Sequence, residues 1–337
     1  MSSDQTRRRF LTVTGATGIA ALAGCTGGSD DSGSGDGSGS GDGSESDGGS
    51  GGSGTRLSWH AGGTGGTYYP LSNEFKTIVE ANTDYSLTVQ STGASVENVG
   101  SLSDGSADFA LIQNDIASFA KNGTGIDAFQ GNSIDSLQGV ATLYPETISL
   151  VTLADSGISS LGDLSGATIN TGDLGSGTQV DALRILESAG ISDYTEQNAG
   201  FSQASEQLAN GDIDAAFVVG GWPVGAIEDL ANTNDIEIIS ISGDTRETIK
   251  SDNSFFSDDT IPAGTYSGVD EAVETVAVQA MIATHSGVDA DTVETVTAAI
   301  FDNLDELSIK PDFISVDSAQ DGMSIDLNEG AAAYFDA

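Results

Sequence analysis

From Arg56 onward, short apolar runs alternate with segments whose apolar residues recur every three or four positions. That alternation predicts an α/β protein built on parallel strands. Arg56–His60 reads as a strand feeding a glycine-rich loop, Ala61-Gly62-Gly63-Thr64-Gly65-Gly66-Thr67. A helix follows, with Leu71, Phe75, Ile78 and Val79 on one face and Pro70 tolerated in its first turn. Residues 87–90 form the next strand, Val96, Val99 and Leu102 mark a short helix, and residues 107–112 are a buried strand.

The same order returns about 110 residues later. Residues 167–171 read as a strand, and Gly172-Asp173-Leu174-Gly175-Ser176-Gly177-Thr178 opens a helix bearing Val180, Leu183, Leu186 and Ala189. Gly190 then supplies a left-handed cap. The loop from Gly63 to Thr67 matches that from Leu174 to Thr178 at an offset of 111, and the stretch from Asp104 to Leu111 matches that from Asn210 to Phe217 at an offset of 106. In each of the latter pair a glycine ends a helix and an aspartate leads into an apolar strand. Two related lobes are expected, crossed by two long β-branched strands at 147–153 and 274–284. Such a molecule is suited to hinge around a ligand.

Charge narrows the classes. The 337 residues hold 51 Asp and Glu against 10 Lys and Arg, a net charge of −41, which excludes a phosphate-reading nucleic-acid binder. At about 1 M salt the Debye length shrinks to roughly 3 Å and self-repulsion of such a surface largely vanishes. The acidity therefore reads as adaptation to a hypersaline habitat. One cysteine excludes a disulfide framework and a thiolate zinc site, and no run approaches the length of a membrane span.

The N-terminus reads as an address. Arg7-Arg8-Arg9-Phe10-Leu11 has the twin-arginine export pattern, an apolar segment runs to Ala23, and Leu22-Ala23-Gly24-Cys25 is similar to a lipobox, with Cys25 the site of lipid attachment. Residues 26–55 contain no apolar side chain and read as a flexible Gly/Ser/Asp tether. The expected organisation is a signal peptide at 1–24, a tether at 25–55, a first lobe from 56–150 and 268–337, and a second lobe from 151–267.

Glycine loops between a strand and a helix expose backbone N–H groups at a helix N-terminus, an anion site that needs no basic side chain. The candidates are Thr67 and Tyr68 in one lobe and Ser176, Gly177 and Thr178 in the other. Gln113 ends a strand at the sheet edge where open α/β folds bind ligands, and Gly221-Trp222 occupies the equivalent place in the second lobe. Tyr266 is a further aromatic candidate. The Gly-x-Ser-x-Gly match at Gly48–Gly52 lies in low-complexity sequence and lacks the strand and helix that a nucleophile elbow needs. His60 reads as structural, and no zincin, P-loop or dinucleotide motif is present. No enzyme activity, cofactor or metal is expected. Asn122-Gly123-Thr124 forms a glycosylation sequon.

Residues 56–337 resemble the TAXI family, the extracytoplasmic solute receptors of tripartite ATP-independent periplasmic (TRAP) transporters. The segments that carry the resemblance are Gly62 to Pro70, Ala107 to Asp115, Leu143-Tyr144-Pro145-Glu146, Ile158 to Gly166, Gly175-Ser176-Gly177-Thr178 and Ile261 to Tyr266. The resemblance implies a bilobal type II periplasmic-binding-protein fold, two parallel-rich sheets joined by crossing strands. It also implies a small-molecule ligand, with glutamate or a related amino acid favoured and a dicarboxylate an alternative, and delivery to a TRAP permease. By motif match, Gly65, Gly66, Thr67, Tyr68, Gln113, Ser176, Gly177, Thr178, Gly221 and Trp222 line the cleft. The expected protein is a monomer held by lipid on the outer face of the membrane of a halophile that lacks an outer membrane, with no nucleic-acid partner. A receptor for an ATP-driven importer or a sensor is the alternative, and an exported enzyme on the same fold ranks last.

Overall fold

The computed structural model describes residues 54–337; the expected export signal, the lipid-bearing Cys25 and nearly all of the tether lie outside the described residues. The first half-unit runs β1 (Arg56–His60), α1 (Tyr68–Asn82), β2 (Ser86–Gln90), α2 (Ser95–Asp104), β3 (Phe109–Gln113) and α3 (Asn114–Asn122). The long strand β4 (Leu137–Leu153) leads out of it into β5 (Thr168–Asn170), α4 (Gly177–Ser188), β6 (Thr195–Gln197), α5 (Phe201–Asn210), β7 (Ala215–Gly220), α6 (Gly225–Ala231), β8 (Ile236–Ile239), α7 (Gly243–Asp252) and β9 (Ser257–Ile261). The chain returns through β10 (Val273–His285) to α8 (Ala290–Phe301) and α9 (Glu329–Phe335).

The expected class holds: a bilobal α/β fold with parallel strands in each lobe and two strands crossing between them. The hydrogen-bonded order is β2-β1-β3-β10-β4-β7-β5-β6, with β8 on β4 and β9 on β10, so one curled sheet runs unbroken through both lobes. Strands β2, β1 and β3 are parallel, as are β6, β5 and β7, and the antiparallel pair β10 and β4 joins the two sets. Each lobe buries apolar side chains on both faces of its sheet. In the first, α1, α8 and α9 cover one face around Trp59, while α2 and α3 cover the other around Ile112 and Ile116. In the second, α4 and α7 pack over Ile169 and Phe217, and α5 and α6 over Val218 and Ile227. Trp59 is fully buried, stacked 5.5 Å from Phe109, and its indole N–H donates to Ser72 Oγ at 2.9 Å, which satisfies its one polar atom.

The repeat seen in the sequence is a repeat of hydrogen bonds. Helix α2 ends at Gly105 (φ 77°) and α5 at Gly211 (φ 73°), a conformation that glycine adopts without penalty. Just beyond, Asp108 Oδ2 accepts from the Ser58 amide and Asp214 Oδ2 from the Thr168 amide, both at 2.7 Å. The carbonyls of those aspartates accept from Thr284 Oγ1 on β10 and Thr152 Oγ1 on β4, again both at 2.7 Å. Each crossing strand therefore pins one half-unit by the same contact.

Strand β10 follows its expected span to within a residue at each end. Strand β4 begins ten residues before the expected 147. Pro145 explains why its first half does not read as a strand. It faces Gln279 where the register of β4 against β10 slips, and such an irregularity is where a strand accommodates a residue without an N–H.

Candidate functional site

The two glycine loops meet. The loop before α1 and the loop before α4 come from opposite lobes, and both helices begin at one cavity of ≈ 530 Å³. Of the expected site residues, Gly66, Thr67, Tyr68, Gln113, Ser176, Gly177 and Thr178 all line it, together with Ser95, Glu146, Asp173 and Phe201.

Local chemistry sets up each helix start differently. Ser176 caps α4 in the ordinary way, its Oγ accepting from the Gln179 amide at 3.1 Å. The turn before it needs left-handed backbone at Gly172 (φ 105°) and Gly175 (φ 78°). Thr67 makes no cap on α1; its hydroxyl donates instead to the Gly221 carbonyl of the other lobe at 3.2 Å. Pro70 has no N–H, so the first turn of α1 offers the amides of Tyr68 and Tyr69 without an intrahelical partner. Gly177 carries no strain but has no room: a Cβ there would overlap the side-chain amide of Gln113.

Gln113 is the bridge across the cleft. It ends β3 in the first lobe, is 2% exposed, and its Nε2 donates to Asp181 Oδ2 on α4 of the second lobe at 2.8 Å. Ser95 Oγ accepts from the Gln113 amide at 3.1 Å and lies 3.4 Å from its Oε1, which orients the side chain.

Three carboxyls surround this bridge. Glu146 forms part of the cavity wall; its Oε2 accepts from the Tyr68 hydroxyl at 2.9 Å and its Oε1 from the Tyr144 hydroxyl at 3.4 Å. Burial pushes it up to about 8, against the lowering effect of those two bonds. Asp115, at the start of α3, is pushed up to about 7, again chiefly by burial, and Asp181 is raised by burial and then by the neighbouring Asp115 and Glu146. Both oxygens of Asp115 and Oδ1 of Asp181 have no hydrogen-bond partner among the described residues. The two aspartyls come from opposite lobes, and burial, together with the charge of Asp115 acting on Asp181, favours the protonated forms.

Four expected site residues lie elsewhere. Gly65 faces α5 and α6, where a Cβ would meet Ser202 and Ala226 and where its carbonyl accepts from the Ala226 amide. Gly221 and Trp222 line a second, smaller cavity of ≈ 200 Å³ with Tyr144, Asp259 and Lys310. There the Trp222 ring meets Phe313 edge-on at 5.6 Å and its carbonyl accepts from Lys310 Nζ. Tyr266 is buried in the second lobe, its hydroxyl accepting from the Val224 amide at 3.0 Å; it supports the Trp222 loop from below. At Trp222 and Tyr266, packing uses the side chain that the sequence left open for a ligand.

Sequence reasoning did not single out Glu146, Asp115 or Asp181 as site residues. Glu146 and Asp115 stand in segments that carry the family resemblance, which was a usable signal. Asp181 stood in none, and among 51 acidic residues one more on a helix is inconspicuous.

The match to a family model now fits what the geometry shows. Residues 60–336 match the NMT1-like family, and the chain belongs to it. Three solved structures are among those similar to this chain. One is a putative L-cystine ABC transporter from Listeria monocytogenes, at 13% identity, covering 79% of this chain and 98% of that one, with a TM-score of 0.46. Another is the alkanesulfonate-binding protein of Xanthomonas axonopodis pv. citri bound to MOPS, at 15% identity, with 77% and 81% covered and a TM-score of 0.46. The third is an ABC uptake transporter substrate binding protein from Streptococcus pneumoniae with bound histidine, at 15% identity, with 73% and 85% covered and a TM-score of 0.45. Among the described residues no helix is long and apolar enough to cross a membrane.

Proposed function

We propose that this chain is an extracytoplasmic solute receptor that captures a small carboxylate-bearing solute between its lobes and delivers it to a membrane transporter. One observation carries the reading: two helices from opposite lobes, α1 and α4, start at the same buried cavity, and Gln113 and Thr67 bridge the lobes around it. Helix N-termini bind anions through free amides and the positive end of the dipole. A cleft so lined holds a carboxylate without Lys or Arg, which suits a chain that has only 10 of them.

The finer reading follows the family resemblance. The transporter is a TRAP-type secondary permease, and the solute is glutamate or a related amino acid. The export signal and Cys25 place the protein on the outer face of the cell membrane, where the acidic tether keeps it near its permease at high effective concentration. The net charge fits a halophile. The protein acts by binding and closing, without turnover.

The test is a thermal-shift screen of amino acids and small carboxylates in high salt. A solute at 100 times its dissociation constant stabilises the folded chain by roughly 2.7 kcal/mol, a shift easily seen. Stabilisation confined to one or two compounds supports the receptor; conversion of a compound to product, followed by chromatography, refutes it in favour of an enzyme. Copurification from membranes separates the transporters, since an ATPase subunit in the complex replaces the TRAP permease with an ATP-driven importer.

A further inference from the structure

The cavity is bipolar. Its two helix N-termini present amide hydrogens and positive dipole ends. In the same lining, Glu146 is a 4% exposed carboxyl whose orientation two tyrosine hydroxyls fix, and it is the group that supplies a negative charge once ionised. A carboxylate has about four lone-pair sites; the two tyrosines use two and leave the others for a donor. Asp173 also lines the cavity, and Asp181 and Asp115 lie behind Gln113.

Among the described residues, no Lys, Arg or His lines the cavity. Two cations from neighbouring segments are committed elsewhere. Arg184, one turn beyond Asp181, donates to the Gly125 carbonyl at 2.7 Å and to Asn253 Oδ1 at 3.1 Å, and its guanidinium lies 4.6 Å from the Phe119 ring centre. Lys310 serves the Trp222 carbonyl in the second cavity.

On the receptor reading above, we propose that the cleft selects a zwitterion: an α-amino acid whose carboxylate sits at the starts of α1 and α4, whose ammonium is received by Glu146, and whose side chain carries no second carboxylate. A buried charge must be paired or hydrogen-bonded to be tolerated. One carboxylate finds the free amides of the two helix starts and the Thr178 hydroxyl. A second carboxylate would lie near Asp173 and, among the described residues, find no cation in the lining to pair with. An ammonium meets the opposite case. Burial holds Glu146 up at about 8, and a cation brought against it favours the ionised form. Tyr68 ties the two ends together, because it opens α1 and its hydroxyl holds Glu146. Ligand charge, rather than ligand size, then separates the glutamate that the family resemblance favours from neutral and basic amino acids.

The experiment is calorimetric titration of the full chain in about 2 M KCl. The probes are L-glutamine, L-leucine, L-arginine, L-glutamate, succinate and the N-acetyl derivatives of the first three. At least one of the first three binds, its N-acetyl derivative binds at least tenfold more weakly, and succinate does not bind. Glu146→Gln weakens the bound amino acid roughly tenfold or more, the usual effect of removing a charged partner from a buried hydrogen bond, and Glu146→Asp recovers part of the loss. Because the acetylated probes are used on the unaltered protein, the outcome does not depend on the variant folding. Succinate or an N-acetyl derivative binding as tightly as the free amino acid, L-glutamate binding tighter than the other amino acids, or unchanged affinity in Glu146→Gln, overturns the zwitterion and leaves the receptor. Binding by no probe overturns the zwitterion as well. If native mass spectrometry of the protein from its own cells then also shows no small molecule, the receptor reading fails with it.

Discussion

The two loops that start α1 and α4 occupy equivalent places in a repeated scaffold, yet they do different work. The second is complete in itself. Ser176 caps its own helix, Gly175 N–H donates to Gln179 Oε1 at 3.0 Å, and Asn170 Oδ1 accepts from the Gly172 amide at 2.8 Å. The first is unfinished within its own lobe: Thr67 makes no cap and donates to Gly221, and Gly65 accepts from Ala226, both across the cleft. A loop that satisfies itself is in place before closure. Parting of the lobes would cost the first loop these two bonds and the second none of its own, so the asymmetry predicts α4 as the fixed anchor and α1 as the closing jaw.

Breaking the bridge between those loops has the largest expected effect. Gly177→Ala drives a methyl into the Gln113 amide, which Ser95 and Asp181 hold in place, and so removes a buried inter-lobe hydrogen bond to a carboxyl. Solute affinity by calorimetry falls roughly tenfold to a hundredfold, the range for losing such a bond. Gly66→Ala is the matched change in the other loop and has a milder effect, because the added carbon meets only the edge of the Phe201 ring at 3.2 Å. Equal losses in the two variants would remove Gln113 as the bridge.

The buried carboxyls give the next effect, on stability against pH. Asp115 (about 7) and Glu146 (about 8), with Asp181 also raised, stay protonated in the folded chain where the unfolded chain, with ordinary values of 3.8 and 4.5, has already ionised. Their contribution is therefore fully present below about pH 4, declines as pH rises, and levels off above about 8. Asp115→Asn, a neutral copy of the protonated form, melts close to the unaltered protein at pH 5 and at a higher temperature than it at pH 8.5, both in high salt. Parallel melting curves for the two proteins across that range would show that the fold does not hold Asp115 protonated.

How much of this was legible follows from what sequence patterns record. The lobes were, because the Gly-then-Asp step before β3 and β7 places a left-handed cap and a buttressing carboxylate in both, and those residue types leave few alternatives. The cavity was half legible. Glycine loops announce helix starts, and Gln113 announces a strand end. Tyr266 and Trp222 were not separable from ligand contacts, because an aromatic beside Gly or Pro serves a core and a cleft with the same residues. The start of β4 was masked by Pro145, whose place at a register slip exists only once β10 pairs with it. Asp115 and Asp181 become a pair only when the lobes meet, a contact about 66 residues apart in the chain that no local pattern encodes.

The capping difference sharpens the comparison at a smaller scale. Ser176→Ala removes the hydroxyl that satisfies the Gln179 amide and lowers stability by about 1 kcal/mol with or without solute, since the cap is local to α4. Thr67→Ala removes no cap, and its 3.2 Å bond to Gly221 exists only while the lobes are closed. Its cost, roughly 0.5–1.5 kcal/mol for a buried neutral bond, therefore falls on the closed state. In calorimetry Thr67→Ala weakens the solute severalfold while the solute-free melting temperature barely moves, and Ser176→Ala lowers that melting temperature more than it weakens binding. The opposite pattern would make the first loop the fixed anchor and the second the jaw. The same loss in both measurements for both variants would mean that the two loops, alike in place, are alike in role.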